Sequence, residues 1–281
     1  MRFVKMHGLG NDFVLVDALA EELPADLASL ARQVCHRRFG IGADGLILVL
    51  PSTCAALRMR IFNPDGSEPE MCGNGIRCFA RYAYEAGLVK APEFQVETLA
   101  GIIRPQLILD GEQVTGVRVD MGVPRLEREQ IPMTGQGTPV LDEPITVAGT
   151  TWPGTCLSMG NPHCVFFVDD IESTPVSTTG PAVEEHPLFP QRTNVEFIQV
   201  LGAGELKMRV WERGAGETMA CGTGACAAAV AGVLTGRSSR EVTVHLAAGD
   251  LQVEWSAEDN HVYMTGPAVA VFRGDFPLDG E

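Results

Sequence analysis

A duplication constrains this chain more than any other feature of its sequence. The segment IFNPDGSEPEMCGNG (residues 61–75) superposes without a gap on VWERGAGETMACGTG (210–224) at a constant offset of 149. Ile61 falls on Val210, Phe62 on Trp211, Glu68 on Glu217, Cys72 on Cys221, and Gly73 and Gly75 on Gly222 and Gly224. A second match, GLGNDFVLVD (8–17) against SMGNPHCVFFVD (158–169), sets Gly10-Asn11 beside Gly160-Asn161 at an offset of 150. A third and looser pair, RRFGIGADGLILV (37–49) and QRTNVEFIQVL (191–201), is in each case an arginine-bearing turn that leads into an apolar run. Self-similarity in the same order implies two related structural units, and 281 residues suffice to give each a core of ordinary size.

Periodicity predicts the elements. Short runs rich in β-branched and aromatic residues come first: FVKM, FVLVD, LILVL and LRMRIFN in one unit, CVFFVD, VEFIQV and LKMRVWE in the other. After each Cys-Gly-x-Gly the period becomes helical. NGIRCFARYAYEAGLV aligns Ile76, Phe79, Ala80, Ala83 and Tyr84 on one stripe and stops at Gly87, whereas GACAAAVAGVLTG is built of small residues and stops at Gly236. A helix apolar on every side is expected to be buried. Strand patterns follow each helix (FQVETLAG, IIRPQLIL and VTGVRVDMG; then EVTVHLAAG, LQVEWSA and HVYMTG), and the C-terminal VAVFRGDFP returns to the first unit. The expected fold is α/β in the α+β sense, with two pseudo-symmetric domains spanning 1–121 plus 268–281 and 122–267. Each is a mostly antiparallel, strand-rich sheet or barrel around a central helix, with the active site in the cleft between them.

Composition narrows the partners. A net charge of -15 with no local basic patch disfavours nucleic acid and anionic membrane surfaces. The N-terminal MRFVKMHGLGNDF lacks the apolar run of a signal peptide, and the longest apolar stretch, ACAAAVAGVL (225–234), is too short to span a bilayer, so a cytoplasmic protein is expected. Cysteines at 35, 54, 72, 78, 156, 164, 221 and 226 show no Cys-x-x-Cys spacing, which predicts reduced thiols and no metal site.

A helix start concentrates unpartnered N–H groups and the positive end of the macrodipole, so Gly73-Asn74-Gly75 and Gly222-Thr223-Gly224 are candidate anion sites, where glycine permits close backbone approach. The same field is expected to lower the acid constants of Cys72 and Cys221 from about 8.5. If the two starts face one carboxylate, the carbon beside it lies between two sulfurs. One thiolate can then remove its proton while the opposite thiol delivers another, inverting the centre without a cofactor. Lysines occur only at 5, 90 and 207, outside these motifs.

Asn63 to Arg77, NPDGSEPEMCGNGIR, resembles the signature of the diaminopimelate epimerases. The similarity runs almost end to end through MHGLGNDF (6–13), RRFGIGADG (37–45), GNPH (160–163), RTNVEF (192–197) and ERGAGETMACGTGA (212–225). It implies a cofactor-independent epimerase that interconverts LL- and meso-diaminopimelate on the route to lysine and peptidoglycan, working as a homodimer. It further implies that Cys72 and Cys221 are the proton-transfer pair. Asn11, Asn63, Asn161 and Asn194 would hold the amino-acid ends of the substrate, Gly73-Asn74 and Gly222-Thr223 the carboxylate at the reacting centre, and Glu212 and Arg213 the distal end. His163 and Glu212 would tune the thiols. Some members carry a substrate-contacting Gln where this chain has Gly45, so that contact is missing or replaced here.

Each motif also has a plainer reading. A cytosolic cysteine is usually a small buried hydrophobe, which is the expectation for the six other cysteines. Asn63 and Asn161 precede proline and suit turns. His7 reads as structural, Glu212-Arg213 could be a solvated pair, and Arg77 and Arg81 read as surface or packing groups. The nearest enzymatic rival is a proline racemase or hydroxyproline epimerase, disfavoured by Asn74 where those relatives carry histidine. A non-enzymatic rival is a thiol redox switch or metal carrier.

Overall fold

Some strands alternate core-facing and solvent-facing residues and others are continuous buried runs, and a computed structural model describes residues 1–278. In chain order the first unit contains Arg2–Gly8 (β1), Asn11–Asp17 (β2), the helix Leu27–Cys35 (α1), Gly45–Leu50 (β3), Leu57–Phe62 (β4), the helix Gly73–Glu85 (α2), Val96–Thr98 (β5), Gly101–Ile103 (β6), Gln106–Asp110 (β7) and Gln113–Asp120 (β8). The second contains Val140–Val147 (β9), Thr150–Ser158 (β10), Pro162–Phe167 (β11), the helix Val176–Glu184 (α3), Asn194–Gly202 (β12), Glu205–Glu212 (β13), Gly216–Thr218 (β14), the helix Gly222–Leu234 (α4), Glu241–Leu246 (β15), Gly249–Trp255 (β16) and Val262–Gly266 (β17). Val269–Asp275 (β18) then returns to the first unit. The compact units are Met1–Val119 with the residues from Gly266 onward, and Asp120–Thr265.

The duplication extends to strand pairing. In the first unit the order is β18-β1-β2-β3-β4-β5-β6, antiparallel except for the parallel pairs β2–β3 and β4–β5. In the second, β9-β10-β11-β12-β13-β15-β16 repeats that order, with parallel pairs at the equivalent places, β11–β12 and β13–β15. Parallel neighbours need a crossover. Helices α1 and α3 supply it between β2 and β3 and between β11 and β12, and the central helices α2 and α4 supply it for the other two pairs.

Helices α1 and α3 and the hairpin β9–β10 are absent from the sequence-based expectation. α1 is capped by Asp26, whose carboxylate accepts the Ser29 N–H at 2.9 Å. α3 has Gly180 and Pro181 in its interior, against propensity. It forms because Val176 and Val183 are buried in a core with Phe166, Phe197 and Trp211, and because Gly180 lets the helix lie on Trp211, where a Cβ would come within 2.6 Å of the indole. The expected single run IIRPQLIL divides into β6 and β7 around Pro105, which has no N–H to donate.

The central helices are stopped alike. Gly87 and Gly236 adopt φ of 72° and 69°, and Leu88 and Arg237 return their N–H groups to Ala83 O (2.9 Å) and Gly232 O (2.7 Å), closing each helix with a left-handed glycine cap. Helix α4 is buried throughout Gly224–Gly232 and packs on β10, β11, β12, β13, β15 and β16. α2 packs on β1 to β4. Among the described residues no helix is long and apolar enough to cross a membrane.

Candidate active site

Both motif cysteines are helix N-caps. Cys72 sits at φ -141°, ψ 117° ahead of α2 and Cys221 at φ -131°, ψ 113° ahead of α4. In each case Sγ accepts the N–H three residues on, from Gly75 and from Gly224, at 3.4 Å. Sulfur thus occupies the place that a Ser, Thr, Asp or Asn oxygen usually takes. This explains why a thiol precedes Gly-x-Gly: the cap conformation aims it at the first turn, where Gly73-Asn74 and Gly222-Thr223 present N–H groups for which the helix has no acceptors.

In the first unit the polar groups around Cys72 are oriented from below by Arg77. Its side chain is fully buried, and its guanidinium donates from Nη2 to Asn74 Oδ1 (2.9 Å), from Nη1 to Gly73 O (3.2 Å) and from Nε to Pro267 O (3.2 Å). Asn74 therefore turns Nδ2 to Asn11 Oδ1 at 3.0 Å, and Asn11 directs its own Nδ2 to Asp44 Oδ2 at 2.9 Å. Cys72 Sγ lies 3.9 Å from Asn11 Oδ1. Gly8 leaves the space, since a Cβ there would come within 2.9 Å of Arg77 Nη2. Arg77 is thus a buried organiser of the first motif and not a surface group. Its signal lay in helical spacing: three residues from Asn74 and four from Gly73, it shares their face.

The second unit reaches the same result with other groups. Asn161, the counterpart of Asn11, donates from Nδ2 to Thr223 Oγ1 at 3.3 Å, and Thr223 Oγ1 lies 3.5 Å from Cys221 Sγ. Asn161 Oδ1 meets His163 Nε2 at 3.0 Å, and His163 Nδ1 meets Glu196 Oε1 at 2.7 Å. Glu196 was not among the expected site residues.

The remaining expected residues are held by their own loops. Asn63 forms the NPDGS turn, with Nδ2 donating to Ser67 Oγ at 2.9 Å, as the plainer reading has it. Asn194 is buried and ties two segments together, accepting the Arg213 N–H at 2.9 Å and donating to Pro162 O at 2.8 Å. Glu212 accepts from Thr218 Oγ1 at 2.5 Å, and the exposed Arg213 donates to Gln191 O at 3.0 Å. The loop carrying Arg213 is anchored by Glu184, which accepts from Gly214 N (2.9 Å) and Trp211 Nε1 (2.7 Å). Gly45 begins β3, where a Cβ would press on Phe62 O at 3.0 Å and the Phe13 ring at 3.3 Å. His7 accepts the Gly10 N–H at 3.3 Å, a structural role.

Charge states depart from expectation at Cys221. Burial pushes its thiol well above the usual range, and the carboxylates of Glu212 and Glu196 push the same way, against smaller opposing effects of the Thr223 hydroxyl and the Gly224 N–H. The helix start alone does not produce a thiolate there; desolvation outweighs it. Burial also raises Cys35 and Cys78, each to about 12, and Cys164, which makes these packing residues. Cys54 departs from the buried expectation and is exposed in a turn. Among the described residues no three His, Cys, Asp or Glu side chains converge as metal ligands do.

The whole chain compares closely with known proteins. The sequence model of the diaminopimelate epimerase family matches residues 3–127 and 155–271. The diaminopimelate epimerase of Moorella thermoacetica is 80% identical over 279 residues, which is 99% of this chain and 100% of that one. The chain belongs to the diaminopimelate epimerase family. The enzymes of that name from Pelotomaculum thermopropionicum and a Synechocystis species are 62% and 57% identical, with 98% or more of each chain covered. Among solved structures, a PhzF-family phenazine biosynthesis protein of Bacillus anthracis aligns with TM-score 0.71 at 19% identity over 99% of both chains. A hydroxyproline epimerase of Agrobacterium vitis aligns with TM-score 0.70 at 18% identity over all of this chain and 93% of that one. At those identities the likeness is one of fold: two pseudo-symmetric, strand-rich α+β domains. As a member of the family the chain is an isomerase.

Proposed function

We propose that this chain interconverts LL- and meso-2,6-diaminopimelate by proton transfer at the α-carbon between Cys72 and Cys221, with no cofactor, in the supply of lysine and peptidoglycan precursors. One observation carries the reading: in a chain of this family the two cysteines are the N-caps of duplicated central helices, with matching dihedrals and matching sulfur contacts. The α-hydrogen beside a carboxylate is far less acidic than a thiol. The first-turn N–H groups after each cysteine would bind that carboxylate and stabilise the charge that grows on it as the proton leaves. One sulfur accepts the proton as the opposite sulfur gives one up, so the protonation states of the pair are exchanged after each turnover. The mechanism requires that both sulfurs reach the α-carbon of the bound substrate with water excluded. Asn11, Asn63, Asn161 and Asn194 with Glu212 and Arg213 would bind the two amino-acid ends.

Deuterium uptake from heavy water separates this reading from its nearest rival. We expect exchange at the α-carbon of diaminopimelate and none into proline; exchange into proline alone would overturn the assignment. The working form is proposed to be a cytoplasmic homodimer, for which sedimentation equilibrium should return twice the chain mass of 30.1 kDa.

A further inference from the structure

In the first unit Phe13 on β2 and Ile47 on β3 are apolar. Their counterparts in the duplication, at offsets of 150 and 149, are His163 on β11 and Glu196 on β12. Both are fully buried. A Cβ added to Gly75 would touch Ile47 and Ile61 at 3.2 Å, whereas one added to Gly224 would come within 2.8 Å of Glu196 Oε1. The second glycine of the motif thus makes room for a carboxyl group against the helix start. Exchanging two hydrocarbon side chains for a buried polar pair costs free energy, and Glu196 Oε2 has no hydrogen-bond partner. The first unit fills these two positions with hydrocarbon and carries its buried charge, Arg77, on the helix instead, so a polar pair at these positions is not a requirement of the duplicated fold.

Burial settles the proton count of the pair. An ionised Glu196 beside a neutral ring protonated on Nδ1 would bury a net negative charge with one oxygen unsatisfied. One further proton makes the pair neutral overall. Whether the shared proton lies on the carboxyl or on Nδ1, Nε2 then carries an N–H. That N–H faces Asn161 Oδ1 at 3.0 Å, so the amide turns Nδ2 toward Thr223 Oγ1 at 3.3 Å. Thr223 has a single hydroxyl proton. Because Asn161 donates to the hydroxyl, that proton is left for Cys221 Sγ at 3.5 Å. With Nε2 as an acceptor the amide would flip, its oxygen would take the Thr223 proton, and the thiolate would lose a donor.

We propose that Glu196 is a positioning residue for the acid–base chemistry of Cys221: by sharing one proton with His163 it fixes the direction of the chain through Asn161 and reserves the Thr223 proton for the sulfur. This rests on the reading of Cys221 as a proton-transfer thiol. The charged groups acting on Cys221 are Glu212 on β13 and Glu196 on β12, with His163 on β11 reaching it only through Asn161 and Thr223; helix α4 itself carries no charged side chain, its one titratable group being the buried Cys226. A donor on sulfur favours thiolate, so its loss lowers the thiolate fraction at a given pH.

The test is a pH titration of ¹³Cβ-labelled cysteine followed by NMR, with the Cys221 resonance assigned from Cys221→Ser. Thr223→Val should cut the Cys221 thiolate fraction at fixed pH by about tenfold, the size of one hydrogen bond to a charged group; because the Glu196 carboxyl itself pushes the thiol up, Glu196→Ala is compared with Glu196→Gln, which removes the same carboxyl, and should lie about tenfold below it. Glu196→Gln keeps the chain's direction, because its amide N–H can donate to Nδ1 and keep Nε2 protonated. Equal titration of Cys221 in Glu196→Ala and Glu196→Gln would overturn the proposal. Should the alanine variant not fold, ¹⁵N shifts of His163 in the native protein decide alone: a neutral ring with its proton on Nδ1 is fatal to it. Neither measurement involves turnover, so the two failures are distinguishable: absence of exchange into diaminopimelate would sink the functional reading, whereas equal Cys221 titration in the two Glu196 variants would sink this proposal alone.

Discussion

Replacing Cys72 or Cys221 by serine is expected to lower epimerisation of diaminopimelate by about 10²- to 10⁴-fold while leaving the fold intact, because on the two-thiol reading each thiol supplies a proton step for which general acid–base catalysis is worth that much. Serine is the discriminating substitution. Each sulfur caps a helix by accepting the N–H of Gly75 or Gly224, and a serine oxygen is among the best N-caps, so the cap survives or improves. The hydroxyl, however, is too weak an acid to exist as an alkoxide near neutral pH. Stability at or above native level with epimerisation lost is the expected outcome, read by urea denaturation alongside interconversion of the LL and meso isomers. Should either serine variant keep native epimerisation, the two-thiol mechanism fails. Alanine would confuse the two effects, since loss of the cap alone costs about 1 kcal/mol.

The largest effect on stability is expected at Arg77. Its replacement by methionine keeps most of the volume but leaves Asn74 Oδ1, Gly73 O and Pro267 O without the donors that now satisfy them. A buried acceptor abandoned in this way costs about 1–3 kcal/mol, and because these three lie on half-buried residues a total loss of about 2 kcal/mol is expected, seen as a lower urea midpoint at an unchanged slope. Lysine should not rescue it, because one ammonium cannot reach three acceptors arranged for a guanidinium fork. Exchange should fall as well, since Asn74 and, through it, Asn11 lose their fixed orientation next to Cys72. A midpoint within experimental error of the native chain would return Arg77 to the status of a packing residue.

The two halves solve one problem in opposite chemical terms. In each, a motif asparagine near the thiol is oriented by a buried group of fixed polarity. Arg77 can only donate, and it acts from within helix α2. The His163–Glu196 pair acts from two strands, and only burial determines how many protons it holds. Duplication preserved the N-caps, the glycine stops at Gly87 and Gly236 and the order of strand pairing, and let the groups behind the caps diverge.

The sequence by itself determined the duplication, the central helices and the cysteines at their starts, because these depend on local periodicity, on glycine's access to left-handed φ and on short spacings repeated at one offset. It also carried the family resemblance, and with it the expected site residues. Tertiary structure alone decided the rest. Helix α3 forms despite Gly180 and Pro181 because packing on Trp211 and the Phe166–Phe197 core outweighs weak propensity. Arg77 and Glu196 look like ordinary charges in the chain, and their roles come from being buried beside partners distant in sequence. The Cys221 thiol is held up and not down because desolvation, a property of everything packed around a group, exceeds what one helix end supplies.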